Sequence, residues 1–222
     1  MASARCTRLL GPGRTIAAPA ETTRVSTGRL ESFSDGVIAV AATLLVLDIT
    51  VPAMGSDHSL AHALLNKWPV YAAYVTSFIT IGIIWINHHA MISRLRAADH
   101  AILMLNLLLL LCIAVLPFAT SLMAAYLRQP NGQGLAAGVY SGMFLLMSVA
   151  FGALNRQILF GKAQLLAVEL SNERRRQILN RALTGLIPYA IATALAPVSP
   201  YATLAICAAV AAFYALPIAS GG

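Results

Sequence analysis

Four ionisable side chains, Asp35, Asp48, His88 and His89, sit inside or at the edge of long apolar runs. In hydrocarbon such a group costs several kcal/mol, so each is a candidate for ion passage, a proton relay or a structural hydrogen bond. Adjacent helical positions point about 100° apart. No carboxylate or thiolate pattern accompanies His88-His89, so a metal site is not expected. A hydrolytic triad is not expected either: the chain has no G-x-S-x-G turn, and Ser34 with Asp35 lacks a base in a defined order. Cys6, Cys112 and Cys207 show no C-x-x-C spacing, which argues against a disulfide or metal framework. The chemistry on offer is therefore that of a non-enzyme without a cofactor.

The elements that hold these residues follow from composition. Of 222 residues 59% are hydrophobic and only 10% charged, and the mean hydropathy is +0.75, too apolar to coat a soluble globule. A helix needs about 20 mostly apolar residues to cross a bilayer. Six runs qualify: Phe33–Val51, Pro69–Met91, Ala101–Leu127, Gly134–Asn155, Ile178–Ala196 and Tyr201–Ser220. The expected fold is all-α, a polytopic bundle of six transmembrane helices, with no alternating pattern for a β-barrel. Pro117 should kink the third helix by removing one backbone donor.

The net charge of +7 is no sign of nucleic-acid binding, because the charges lie between the apolar runs. All but Lys67 and Arg128 of the 15 basic residues fall in the tail, the second loop or the fourth loop. Cytoplasmic loops collect Lys and Arg, which places both termini in the cytoplasm. Residues 1–28 read as a mobile basic tail without a secretory signal, with a transit peptide as the lesser reading. Residues 29–222 form the membrane domain. The fourth loop, Arg156 to Arg181, is expected to be a cytoplasmic helical extension. Its Glu173-Arg174-Arg175-Arg176 run suits anionic headgroups, and an ordinary solvated positive loop is the simpler reading.

On a wheel at about 100° per residue, Val40, Leu44, Leu47 and Val51 keep to one narrow stripe, with Thr43 beside it. Asp35 lies about 140° away, toward the bundle, and Asp48 lies nearer the stripe at the far mouth. Counted from Arg29 and Arg94, Asp35 and the cluster Trp85, Asn87, His88 and His89 share a depth and can hydrogen-bond, as buried polar groups in lipid require. Taken alone, such a stripe is more often a lipid-facing or packing seam than a pore.

The stretch Arg29-Leu30-Glu31-Ser32-Phe33-Ser34-Asp35, of form R-x-x-x-F-S-D, continues as Gly36-Val37-Ile38-Ala39-Val40. It closely resembles the first helix of the transmembrane protein 175 family of potassium channels in its six-helix, single-repeat form. Trp85-Ile86-Asn87-His88-His89 and the run from Asn106 to Phe118 are similar to that family's second and third helices. The resemblance covers about residues 29–125. It implies a homotetramer in the plasma membrane whose central pore is lined by the first helix of each subunit, passing K⁺ without a T-V-G-Y-G filter. The narrowest hydrophobic ring falls at Val40, with further rings at Leu44 and Leu47. Thr43 takes a polar position tied to selectivity, and Asp48 lies at the pore mouth. Arg29, Ser34, Asp35, Trp85, Asn87, His88 and His89 correspond to an inter-helix network. Val40 departs from the family, where Ile or Leu is usual, which puts the ring's width in question.

A passive potassium-preferring channel with a hydrophobic gate is the expected function. A proton-coupled carrier using Asp35 and His88/His89 is the second reading, although carriers usually show repeats and broken helices near the midplane. A structural or signalling bundle without flux is the third.

Overall fold

A computed structural model describes residues 26–52 and 59–216. The tail expected over 1–28 lies outside these residues except for its last three, where Ser26 caps the first helix and Thr27 begins it. Regular structure among the described residues is helical, as expected, apart from one isolated bridge between Leu95 and Leu166.

The elements in order are α1 (Thr27–Leu44), α2 (Leu60–Asn66), α3 (Trp68–Ile92), α4 (His100–Tyr126), α5 (Gln133–Arg156), α6 (Asn172–Leu183), α7 (Leu186–Leu195) and α8 (Pro200–Ala215). Local chemistry sets several of their ends. The Asp99 carboxylate accepts from the Ile102 N–H at 3.0 Å and starts α4, and the Ser171 hydroxyl accepts from the Arg174 N–H at 3.2 Å and starts α6, each satisfying an orphan donor of the first turn. Gly132, at φ 109°, makes the turn into α5 in a region that other residues avoid. α8 closes at extended Leu216, the residue before Pro217 in the sequence, where helix is disfavoured.

α4 is the central helix, touching α1, α3 and α5. Its Leu109, Ile113, Leu116 and Met123 are fully buried, on the 3.6-residue spacing of a packed face. The assigned helix runs through Pro117 without interruption. A polar knot crosses the bundle beside it: Ser77 Oγ lies 2.8 Å from Thr120 Oγ1 and 3.1 Å from Tyr140 Oη, joining α3, α4 and α5.

Among the described residues, five helical stretches have the length and apolarity to cross a membrane, and α8 is a shorter apolar helix. The fifth stretch, Asn172–Leu195, is broken at Thr184–Gly185 into polar α6 and apolar α7. At about 1.5 Å per residue the ten residues of α7 reach only half of a hydrocarbon core, and the helical extension expected in the fourth loop is α6, directly before it.

Two links pin the loops at the basic end. Arg96 N donates to Leu165 O at 2.9 Å and Ala167 N donates to Arg94 O at 2.8 Å, fastening the α3–α4 loop to the α5–α6 connection. Beside them, Lys162 pairs with Asp99 at 2.9 Å.

Candidate functional site

α1 has two unlike faces. Leu30, Ser34, Ile38 and Ala41, followed by Leu45, are buried against α3 and α4. The opposite face carries the stripe: Val40 is 58% exposed, Leu44 43% and Leu47 69%. In water such a row of aliphatics would be a liability. On a membrane helix it faces lipid or another copy of the chain.

The last turn of this helix is not α-helical. Leu45–Asp48 form a 3₁₀ turn, in which residues three apart eclipse one another. Leu47 is thereby brought into line with Leu44, so the stripe narrows toward its far end. Thr43, beside the stripe, donates its hydroxyl to Val40 O at 2.9 Å, which leaves the oxygen's lone pairs facing outward. Asp48 Oδ1 accepts from Ser121 Oγ of α4 at 2.6 Å, while its Oδ2 is buried without a partner among the described residues.

The buried face is fastened by three polar rungs. Trp85 Nε1 donates to Asp35 Oδ1 at 3.0 Å, and His89 Nδ1 lies 2.5 Å from Glu31 Oε1. A step of four forward on α1 is a step of four back on α3, the register of antiparallel helices one turn apart. The third rung is buried: Asn106 Nδ2 donates to Ser34 Oγ at 3.0 Å, and Asn106 Oδ1 lies 2.7 Å from His88 Nε2. Ser34 donates onward to Leu30 O at 2.8 Å. With the Asn106 oxygen as acceptor, the His88 proton sits on Nε2, and Nδ1 is left buried and unpartnered among the described residues.

Of the network residues read from the sequence, Ser34, Asp35, Trp85, His88 and His89 are thus brought together between helices. Asn87 is turned elsewhere, donating to Ile83 O of its own helix at 2.8 Å. The Arg29 side chain makes no hydrogen bond or ion pair among the described residues. Glu31, Asn106 and Ser121 complete the contacts and were not singled out from the sequence. Each left a signal: Glu31 precedes Asp35 by one turn, Asn106 is the lone amide in an apolar helix of 27 residues, and Ser121 stands one turn beyond Pro117.

Three comparisons bear on this arrangement. The family model of the endosomal/lysosomal potassium channel TMEM175 matches residues 29–117, the stretch containing the stripe and all three rungs. A potassium channel of Chamaesiphon minutus is 38% identical over 192 residues, 86% of this chain and 94% of that protein. One of Streptomyces collinus is 50% identical over 127 residues, 57% of this chain and 62% of that protein. The crystal structure of a lysosomal potassium-selective channel TMEM175 homologue from Chamaesiphon minutus superposes with a TM-score of 0.77 at 35% identity, covering 88% of this chain and 98% of that chain.

Proposed function

This chain belongs to the TMEM175 potassium-channel family, and from that premise we infer that it is a passive, potassium-preferring channel whose constriction is the exposed aliphatic stripe of α1. It is a multi-pass membrane protein and not an enzyme. In the arrangement we propose, four copies place their α1 helices around one axis, with Val40 forming the narrowest ring and Leu44 and Leu47 the next two. The reading rests above all on one observation: the face of α1 opposite its polar rungs is aliphatic and uncovered, with Leu47 69% exposed.

Such a ring works without charge. A pore narrower than a hydrated ion and lined by methyl groups holds no continuous water column, and closes by dewetting. Opening it by a small tilt of α1 readmits water and lets K⁺ pass with part of its shell. Because K⁺ is less costly to dehydrate than Na⁺, the natural outcome is a modest potassium preference. Thr43 Oγ1, next to the ring, offers oxygen to an ion that has lost part of its shell. Asp48, at the far mouth of the stripe, raises the local cation concentration. The rungs hold α1 at a fixed rotation, which keeps the same three side chains aimed at the axis.

The basic collar formed by Arg94, Arg96, Lys162 and Arg174 to Arg176 supports a cytoplasmic placement of that end, and of both termini, in the plasma membrane. In this reading residues 29–222 make up the channel domain and 1–28 a basic cytoplasmic tail. The carrier reading would need Asp35 and the histidines free to exchange protons, whereas each of those side chains has a structural partner.

Purified protein in planar bilayers tests the proposal. Unitary currents should reverse near the K⁺ potential, and Val40→Ala should raise conductance several-fold while lowering K⁺-over-Na⁺ preference. Unchanged currents in Val40→Ala would remove the stripe from the ion path. Saturable, current-free exchange would point to the carrier.

A further inference from the structure

A second feature lies on the far side of α3, away from α1. Between α3, α5, α6 and α8 runs an apolar cleft of about 470 Å³, within the size range of small-molecule sites. Ile83, Ile84, Phe151 and Ala211 are among the residues of its walls. Its mouth, at the basic end of the bundle, is lined by Arg94, Arg174 and Arg181.

The mouth is short of negative charge. Arg94 sits just past α3, half-buried, and its guanidinium makes no ion pair or hydrogen bond among the described residues. Burial, and then the neighbouring Arg174, hold its pKa below the usual arginine value. Among the described residues the Arg174 guanidinium hydrogen-bonds only the neutral Gln177 Oε1, at 3.4 Å. The loop staple at Arg94 O and Arg96 N fixes the backbone that carries Arg94. Like charges driven together above an apolar slot, with no carboxylate to neutralise them, match a ligand with an anionic head and a hydrocarbon tail.

We propose that this cleft is a binding site for an anionic phospholipid, its phosphate held by Arg94, Arg174 and Arg181 and one acyl chain lying between α3, α5 and α8. The assignment is independent of the pore: the cleft and the stripe are on different sides of α3, and the site is tested by binding alone. Asn87, which faces away from the rungs, lines this cleft as well.

Native mass spectrometry of the purified, delipidated full chain, titrated with phosphatidylglycerol or phosphatidylcholine, reads the site directly. Wild type should bind phosphatidylglycerol at least tenfold more tightly. The double variant Arg94→Gln/Arg174→Gln should abolish that preference, while Arg176→Gln, in the same basic run but outside the cleft, should keep it. Ala182→Phe, narrowing the slot, should weaken both lipids several-fold. Equal losses in Arg176→Gln and the double variant would mean a diffuse basic surface and overturn the site. Competition by millimolar inorganic phosphate would mean a phosphate pocket without a lipid. A changed subunit number in Ala182→Phe, with lipid binding intact, would assign the cleft to a neighbouring copy.

Discussion

The corner where α1, α3 and α4 meet and the corner built from α5 to α8 are both buried in one bundle, yet they are held by different forces. In the first, directional bonds do the fastening: Asp35 to Trp85, Glu31 to His89, and Ser34 through Asn106 to His88. In the second, shape does most of it, beside a buried bond from Thr203 Oγ1 to Ala192 O at 3.0 Å. Tyr140 meets Phe144 edge-on at 4.8 Å and Phe144 stacks on Tyr189 at 5.4 Å, with small residues such as Ala137, Ala192 and Ala211 buried between. Hydrogen bonds fix rotation and register, because a wrong register leaves polar atoms bare in hydrocarbon. Aromatic and aliphatic contacts tolerate sliding and leave gaps. The rigid corner carries the stripe, and the corner held by shape contains the cleft.

The largest test of this contrast is Asn106→Leu. It removes both links of the buried rung and leaves the His88 Nε2–H without an acceptor, a loss of about 1–3 kcal/mol. Thermal melting of the purified protein should fall accordingly. Because α1 would be freed to rotate, K⁺ selectivity should fall with it. A variant that melts like wild type with normal selectivity would show that the rung positions nothing.

Phe144→Leu is the counterpart in the other corner. It deletes two ring contacts together worth about 1–2 kcal/mol, and it widens the cleft that Phe144 lines. Melting should drop by a comparable or smaller amount, but selectivity should stay put. If selectivity changed as much as in Asn106→Leu, the division between a positioning corner and a packing corner would fail.

The contrast also explains what could be read in advance. The second and third spans, expected at Pro69–Met91 and Ala101–Leu127, lie within a residue of α3 and α4 at each end. Long apolar runs closed by charged residues announce their own limits. α1 begins six residues before the expected Phe33, since Gly28, Arg29 and Glu31 dilute the apolar signal without breaking the helix. The 3₁₀ turn at Leu45–Asp48 and the short helix α2 had no such signal. Neither did the break at Thr184–Gly185, which depends on how α6 and α7 pack against α5. The last expected span reached Ser220, and its residues 217–220 lie outside the described residues. At the candidate site, Asp35 and Trp85 could be paired from depth alone. Asn87 could not be excluded that way, because the facing of its side chain is decided by the helix that packs there and not by its distance from the membrane surface.

The smallest expected effect concerns the collar that joins the two corners. Burial opposes ionisation of Asp99, but the Ile102 N–H and the Lys162 ammonium outweigh it and hold the carboxyl below its ordinary value. A carboxylate whose folded pKa is depressed contributes stability that is complete above its unfolded pKa and is lost as pH falls through the folded one. The window therefore opens near pH 4 and lies below it. Asp99→Asn keeps the capping oxygen and removes only the charge, so at pH 7 it should cost about 0.5 kcal/mol, as for a partly exposed pair. Melting curves of wild type and Asp99→Asn should accordingly converge as pH drops from 5 toward 3. Curves that stay parallel across that range would mean that Lys162 contributes nothing through charge, leaving the backbone staple at Arg94 and Arg96 as the main tie between the α3–α4 loop and the α5–α6 connection.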